Sequence, residues 1–431
     1  GSDEQGDSSD IGSDWNTAQC FLNADGTYDW NKEEGHQWFL QAARQRGVKY
    51  IVGFAISLPV YYTKNGKAFS PGGDSLNIKQ GDLNAYADFL VRVADHFHFD
   101  YISPVNEPQW GWTAAANGIA KQEGSPARNS EIAALVKLLS GKLAAVHSPS
   151  QVVIGEAGEW SFLYGNNSDG RGNQIQDFFS PSSDDYIGNL PNVLAAISSH
   201  SYFTTCPDAT LINVRQQVSD RIKQVDPSLQ TWMSEFCVLG NICNQYNGSP
   251  RNTGIDYGLY VAKVMDNDLT IANVSSWQWW RGISPADYND GLVYTNDPSG
   301  QINPDNCKQD GIVLGSKELW AMGNFSRFVR PGMQRVDAVI QGYGDPVAAA
   351  SSLMVSAYKN VSTKELVIVI INMTSQPKIL QLNTEGGFKM GNNLLNAYTT
   401  NAASNLKRSY VPDDSIAVGS SSVITLTGTY Q

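Results

Sequence analysis

Between residues 30 and 325 the chain alternates between two hydrophobic periods. Segments 32–46, 82–97, 131–147, 211–225, 257–267 and 317–325 carry apolar side chains three and four positions apart, the spacing of one helical face. In 82–97 that face is Leu83, Tyr86, Phe89, Leu90 and Val93. Between the helical segments lie short apolar runs at 50–56, 101–103, 151–155, 195–200, 231–235 and 274–279, each followed by a polar loop. An unbroken run bounded by turn signals predicts a strand buried on both faces, as in a parallel sheet. Strand, loop and helix repeated in this way predict right-handed βαβ units and a (β/α)8 TIM barrel. Six strands are counted where eight are needed, so the expected barrel lacks its first two strands in this chain.

After Pro331 the period changes. Apolar runs at 353–358, 366–371, 379–382, 395–398 and 423–426 are separated by turn residues with no helical segment between them. They predict a small antiparallel β-sandwich. The expected division is a catalytic barrel domain over 1–328 and a β-sandwich side domain over 329–431. The second carries no cluster of reactive side chains, so an accessory role is expected for it.

Composition narrows the function classes. At 431 residues the chain exceeds what one ordinary core supports, which fits two domains. Its net charge of −12 argues against nucleic acid or an anionic membrane surface as partner. No apolar run is long enough to span a bilayer, and no signal peptide is evident. The 11 Trp and 19 Tyr are more than a core requires, and many flank polar loops, as in Trp110-Gly-Trp112 and Trp277-Gln-Trp279-Trp280. Five cysteines without close C-x-x-C spacing predict neither a zinc site nor a disulfide scaffold. Cys237 and Cys243 are spaced to close a short loop in an exported protein. Six N-x-[ST] sequons (Asn166, Asn247, Asn273, Asn324, Asn360, Asn372) are near chance for so Asn- and Ser-rich a chain.

The chemistry concentrates at strand ends. Ser103-Pro-Val-Asn106-Glu107-Pro108 follows an apolar run, and Pro108 forces the chain out of the strand so that Glu107 faces a cleft. A second carboxylate, Glu235 in Thr231-Trp-Met-Ser-Glu235, ends another run. Two carboxylates flanking one bond are what glycoside hydrolysis needs, one as proton donor and one as nucleophile or base. Asn106 is placed to bond a sugar hydroxyl beside the scissile bond, or to serve as a turn residue before Pro. His200 and Tyr202 share a face at the end of the 195–200 strand. Tyr202 is expected to donate to Glu235 and favour its ionised form. For His200 the alternatives are a substrate contact and a satisfied core histidine. Trp110, Trp277 and Trp279 are candidate stacking surfaces for sugar rings. The chain has no H-E-x-x-H pair, no G-x-S-x-G elbow and no phosphate loop, and no metal or cofactor is expected.

These residues resemble glycoside hydrolase family 30. The resemblance covers the whole chain and rests on Ser103 to Pro108, Ser234-Glu235, His200-Ser-Tyr202 and Trp277 to Trp280. Ser57-Leu-Pro59 looks like that family's Ser-Pro-Pro segment, with Leu58 in place of its first Pro and Ile56 where an Asn is common. The family implies a (β/α)8 barrel with a side β-sandwich and retaining double displacement, with Glu107 as acid/base and Glu235 as nucleophile. Pro104 to Trp110 followed by Lys121-Gln-Glu-Gly-Ser125 looks most like the endo-β-1,6-galactanase branch, which cleaves arabinogalactan side chains. Xylanases and β-1,6-glucanases share the same catalytic core, and a carbohydrate-binding protein without turnover is the alternative from another class. The substrate class implies secretion or a periplasmic or cell-surface location, a polysaccharide partner and a monomer.

Overall fold

Six strands follow the apolar runs in order: β1 (Val52–Phe54), β2 (Tyr101–Ser103), β3 (Gln151–Ala157), β4 (Val193–His200), β5 (Gln230–Glu235) and β6 (Val274–Trp277). The molecule is a computed structural model that describes residues 18–165, 169–385, 389–391, 395–411 and 415–431. The α-helices among the described residues are α1 (Glu34–Gln45), α2 (Leu83–Phe97), α3 (Asn129–Ala145), α4 (Ser161–Tyr164), α5 (Gln174–Phe179), α6 (Asp208–Val225), α7 (Ile255–Thr270), α8 (Lys317–Ser326) and α9 (Pro346–Ala350). The chain forms two compact units, residues 1–200 with 217–234, and residues 201–216 with 235–431.

In the first unit β1 pairs with β2, β2 with β3 and β3 with β4, all parallel. Parallel pairing needs a crossover between strands, and α2 and α3 supply two of them. Each crossover helix buries the face its apolar period marked: Tyr86, Phe89 and Leu90 on α2, and Ile132, Leu135, Leu139 and Leu143 on α3. One side of the sheet gathers Val52, Tyr101, Val153, Ala196 and Trp232, one or more from each of β1 to β5. By contrast α1 buries no residue, and its Trp38 and Phe39 are exposed.

The second unit is built on an antiparallel sheet in the order 334–336, 353–359, 365–372, 422–429, 395–401, 404–411. Strand Glu365–Asn372 shows why its apolar run is unbroken. Val367, Val369 and Ile371 face a core shared with Leu259 and Met265 of α7 and Phe325 of α8. Leu366, Ile368 and Ile370 face the opposite core, with Ile416 and Val418. Both faces are buried, so the two-residue alternation of a half-exposed strand is absent. Because α7 and α8 share a core with the sheet, these units differ from a division at 328/329. The expected sandwich strands are all present, and Gln334–Val336, Ser415–Val418 and the longer Ser404–Val411 are added to them. The Ser404–Val411 strand is mostly exposed and polar, so no apolar run announces it.

One expectation from local sequence is corrected. The disulfide joins Cys206 to Cys243, with Cα atoms 6.2 Å apart, and Cys237 is a free, buried thiol. Cys237 Sγ lies 3.7 Å from the Tyr202 hydroxyl, and burial pushes this thiol well above its ordinary range. Of the sequons, Asn166 lies outside the described residues. Asn324 and Asn372 are fully buried and hydrogen-bonded, so the folded chain cannot present them to a glycan.

The second unit also encloses two acids. Burial raises Glu318 to about 8 and Asp266 to about 7. The fold therefore favours their protonated forms. That contribution is complete below the ordinary carboxyl range and is lost as pH rises through about 7 to 8. Glu318→Gln is neutral at every pH. Its melting temperature is expected to fall less between about pH 5 and 8 than that of the parent chain. Equal losses in both proteins would contradict this reading.

Candidate active site

Glu107 stands four residues beyond β2, in a loop fixed from several sides. The Tyr86 hydroxyl of α2 donates to the Pro104 carbonyl at 2.8 Å. Glu107 N–H donates to the Glu156 carbonyl at 2.8 Å, and Trp112 Nε1–H donates to the Glu107 carbonyl at 3.0 Å. One turn on, Gly158 N–H donates to Gln109 Oε1 at 3.0 Å, tying the same loop to the end of β3. Glu107 is 6 % exposed and holds a left-handed backbone at φ 42°. Such a conformation costs a non-glycine residue about 1–3 kcal/mol and recurs at functional sites.

The Glu107 side chain meets a buried histidine. His200, the last residue of β4, is 0 % exposed. Its Nδ1 lies 2.8 Å from Glu107 Oε1 and its Nε2 lies 3.0 Å from Glu156 Oε2. Both ring nitrogens are thus committed within the unit. His200 was expected among substrate-binding residues, but it has no polar atom left for a ligand. Reading it as a satisfied buried histidine agrees with this geometry.

Glu156 is the residue that sequence reading missed. The expected strand stopped at Gly155, whereas β3 runs on to Ala157. Register between β3 and β4 shifts on both sides of Ile154, the mark of a bulge. Gly155 makes the bulge possible: its φ is +116°, and a Cβ there would lie 2.2 Å from the Ser198 carbonyl. Past this bend Glu156 turns inward with φ 40° and 4 % exposure. Ser198 Oγ lies 3.0 Å from its Oε1, and Ser234 Oγ of β5 donates to its Oε2 at 2.8 Å. A glycine inside an apolar strand, followed by Glu, was the signal available in the sequence.

The ends of β2, β3, β4 and β5 therefore converge on His200 through Glu107, Glu156 and Ser234. The next residue along β5 is Glu235. In the second unit, Tyr202 Oη donates to Glu235 Oε1 at 2.9 Å, and Ser201 N–H donates to the Glu235 carbonyl at 3.3 Å. Tyr202 is 4 % exposed, whereas Glu235 is only partly buried.

Of the remaining candidates, Trp277 and Trp279 are held by their polar edges. Asn106 is 4 % exposed, and its Oδ1 has no hydrogen-bond partner among the described residues. That orphan acceptor fits a ligand hydroxyl. Trp110 is half-buried, lies against Gly158 and meets Phe162 edge-on at 5.5 Å. Trp277 and Trp279 are half-buried and stack at 6.3 Å with 26° between their planes. Trp277 Nε1–H donates to Asp268 Oδ2 and Trp279 Nε1–H to the Asp290 carbonyl, both at 2.8 Å. Asp268 is itself buried and paired with Arg215 at 2.7 Å. With their N–H groups engaged, these indoles have only ring faces to offer a ligand, as stacking on a sugar requires.

Known proteins agree with this architecture. A conserved exported protein from Bacteroides fragilis superposes with a TM-score of 0.88 at 29 % identity, covering 97 % of this chain and 84 % of that one. The catalytic domain of xylanase C of family 30 from Talaromyces cellulolyticus gives 0.67 at 21 % identity, covering 94 % and 82 %. An endo-β-1,6-glucanase gives 0.60 at 14 % identity, covering 95 % and 78 %. At such low identity the last two speak for the fold alone. Among the described residues no helix is long and apolar enough to cross a membrane. A family model described as O-glycosyl hydrolase family 30 matches residues 1–294, and the chain belongs to that family of glycosidases.

Proposed function

We propose that this protein is a retaining endo-glycosidase acting on a neutral β-linked polysaccharide, with the β-1,6-galactan side chains of arabinogalactan as its preferred substrate. A (β/α)8 arrangement of the parallel strands, export from the cell and a monomeric state belong to the same reading. The observation that carries it is the convergence of strand ends on His200, with Glu107 Oε1 2.8 Å from that histidine's Nδ1 and Glu235 directly after Ser234. In this reading Glu107 protonates the departing oxygen while Glu235 attacks the anomeric carbon. Glu107 then takes a proton from the water that releases the glycosyl-enzyme. Asn106 bonds the sugar beside the cleaved bond, and Trp110, Trp277 and Trp279 carry sugar rings on their faces.

The loop wording from Pro104 to Trp110 and from Lys121 to Ser125 favours galactan within the family. Xylan and β-1,6-glucan are the competing substrates, since xylanases and β-1,6-glucanases share the family's catalytic core. Incubation with β-1,6-galactan, glucuronoxylan and β-1,6-glucan side by side tests the choice. Oligosaccharides are expected from the galactan, and NMR of the first-released product should show retained anomeric configuration. Preferential cleavage of either other polymer would replace the substrate, an inverted product would overturn the mechanism, and release from none would leave a binding protein.

A further inference from the structure

The family reading explains two carboxylates, but the first unit buries a third. We propose that Glu156 is a positioning residue for Glu107, acting through His200, which it holds as an imidazolium. The proposal rests on Glu107 being the proton donor of the reading above.

Glu107 must exist as an acid in one half of the reaction and as a carboxylate in the other. Its Oε1 lies 2.8 Å from His200 Nδ1. If Glu107 placed its own proton in that bond, the proton would be aimed at the imidazole and lost to the substrate. An Nδ1–H donating to Oε1 avoids this and leaves Oε2 to carry the exchanged proton. The same donor then suits both states of Glu107.

Glu156 supplies the reason for the second ring proton. An ionised carboxylate only accepts hydrogen bonds, and Glu156 is surrounded by donors. The single Ser198 hydroxyl hydrogen lies between Oε1 at 3.0 Å and the Ile154 carbonyl at 3.1 Å, while Ser234 Oγ and His200 Nε2 approach Oε2 at 2.8 and 3.0 Å. A carboxylate buried to 4 % exposure needs a cation or several donors to offset lost hydration. An imidazolium with N–H groups on both nitrogens answers both carboxylates at once. Within this unit the titratable groups facing His200 are Glu107 and Glu156. The bulge at Gly155 brings Glu156 into this position, and neither proton donation nor nucleophilic attack requires a carboxylate there.

His200 is one of five histidines in the chain, so its ring protons can be followed individually. In ¹⁵N-histidine-labelled protein, two low-field N–H signals are expected that both vanish in His200→Gln. In Glu156→Gln one of the two should be lost, because the amide removes the charge but keeps the shape. On β-1,6-galactan the same variant should lose about 100-fold in kcat, the lower range for impaired acid–base catalysis, with KM within about twofold. A single His200 N–H in the parent protein, two signals surviving in Glu156→Gln, or parent-like kcat in that variant would each overturn the proposal. The NMR arm needs no substrate, so it decides the point even if galactan proves not to be cleaved.

Discussion

Glu235→Gln is expected to lower turnover of the cleaved polysaccharide by about 10⁴–10⁶-fold, the range seen when a covalent nucleophile is removed. An amide keeps the volume of the side chain and can still accept the Tyr202 hydroxyl bond at Oε1. It has no ionised oxygen to attack the anomeric carbon. Fold and ligand affinity should therefore survive, since Glu235 is only partly buried and the aromatic faces around Trp277 and Trp279 are untouched. Reducing-sugar release, with circular dichroism and affinity electrophoresis on the same polymer, separates these quantities. Activity within tenfold of the parent would remove Glu235 from the mechanism. Loss of activity together with loss of fold would point to a structural role.

Glu107→Ala is expected to have the second largest effect, about 10²–10⁴-fold on a natural polysaccharide whose leaving oxygen needs a proton. The substitution leaves the backbone bond from residue 107 to the Glu156 carbonyl in place and opens space beside His200. A small anion such as azide can enter that space and attack the glycosyl-enzyme without general-base help. On an aryl glycoside whose leaving group departs without a proton, partial rescue by azide is therefore expected, giving a glycosyl azide of the same anomeric configuration as the substrate. Azide added to a Glu235 variant has no glycosyl-enzyme to intercept and must attack from the opposite face. The configuration of the azide product thus assigns the two roles independently of rate. The same configuration from both variants would contradict them.

The aromatic residues illustrate how structure sharpens a compositional signal. Eleven tryptophans say only that the chain is rich in flat apolar surface. The hydrogen bonds from Trp277 to Asp268 and from Trp279 to Asp290 fix which part of each ring is spent and which remains. The buried Arg215–Asp268 pair then becomes part of the support for Trp277. Arg215 on α6, Asp268 on α7 and Ser201 after β4, whose hydroxyl donates to Asp268 Oδ2 at 2.9 Å, are too far apart in the chain for any motif to connect them.

Local order carried much of this protein's description. The order of strands and helices, the antiparallel character of the C-terminal sheet and the placing of Glu107 and Glu235 at strand ends were all legible. Each depends on the spacing of apolar residues, on proline, or on a turn within a few positions. Tertiary structure alone decided what pairs with what. His200 meets Glu107 across 93 residues and Glu156 across 44, and the disulfide closes over 37. Neighbouring parallel strands come from distant parts of the sequence, so their side-chain contacts have no local signature. The inward turn of Glu156 likewise depends on a bulge that exists only against β4. Two catalytic candidates could therefore be read from the chain, while Glu156 required the folded sheet.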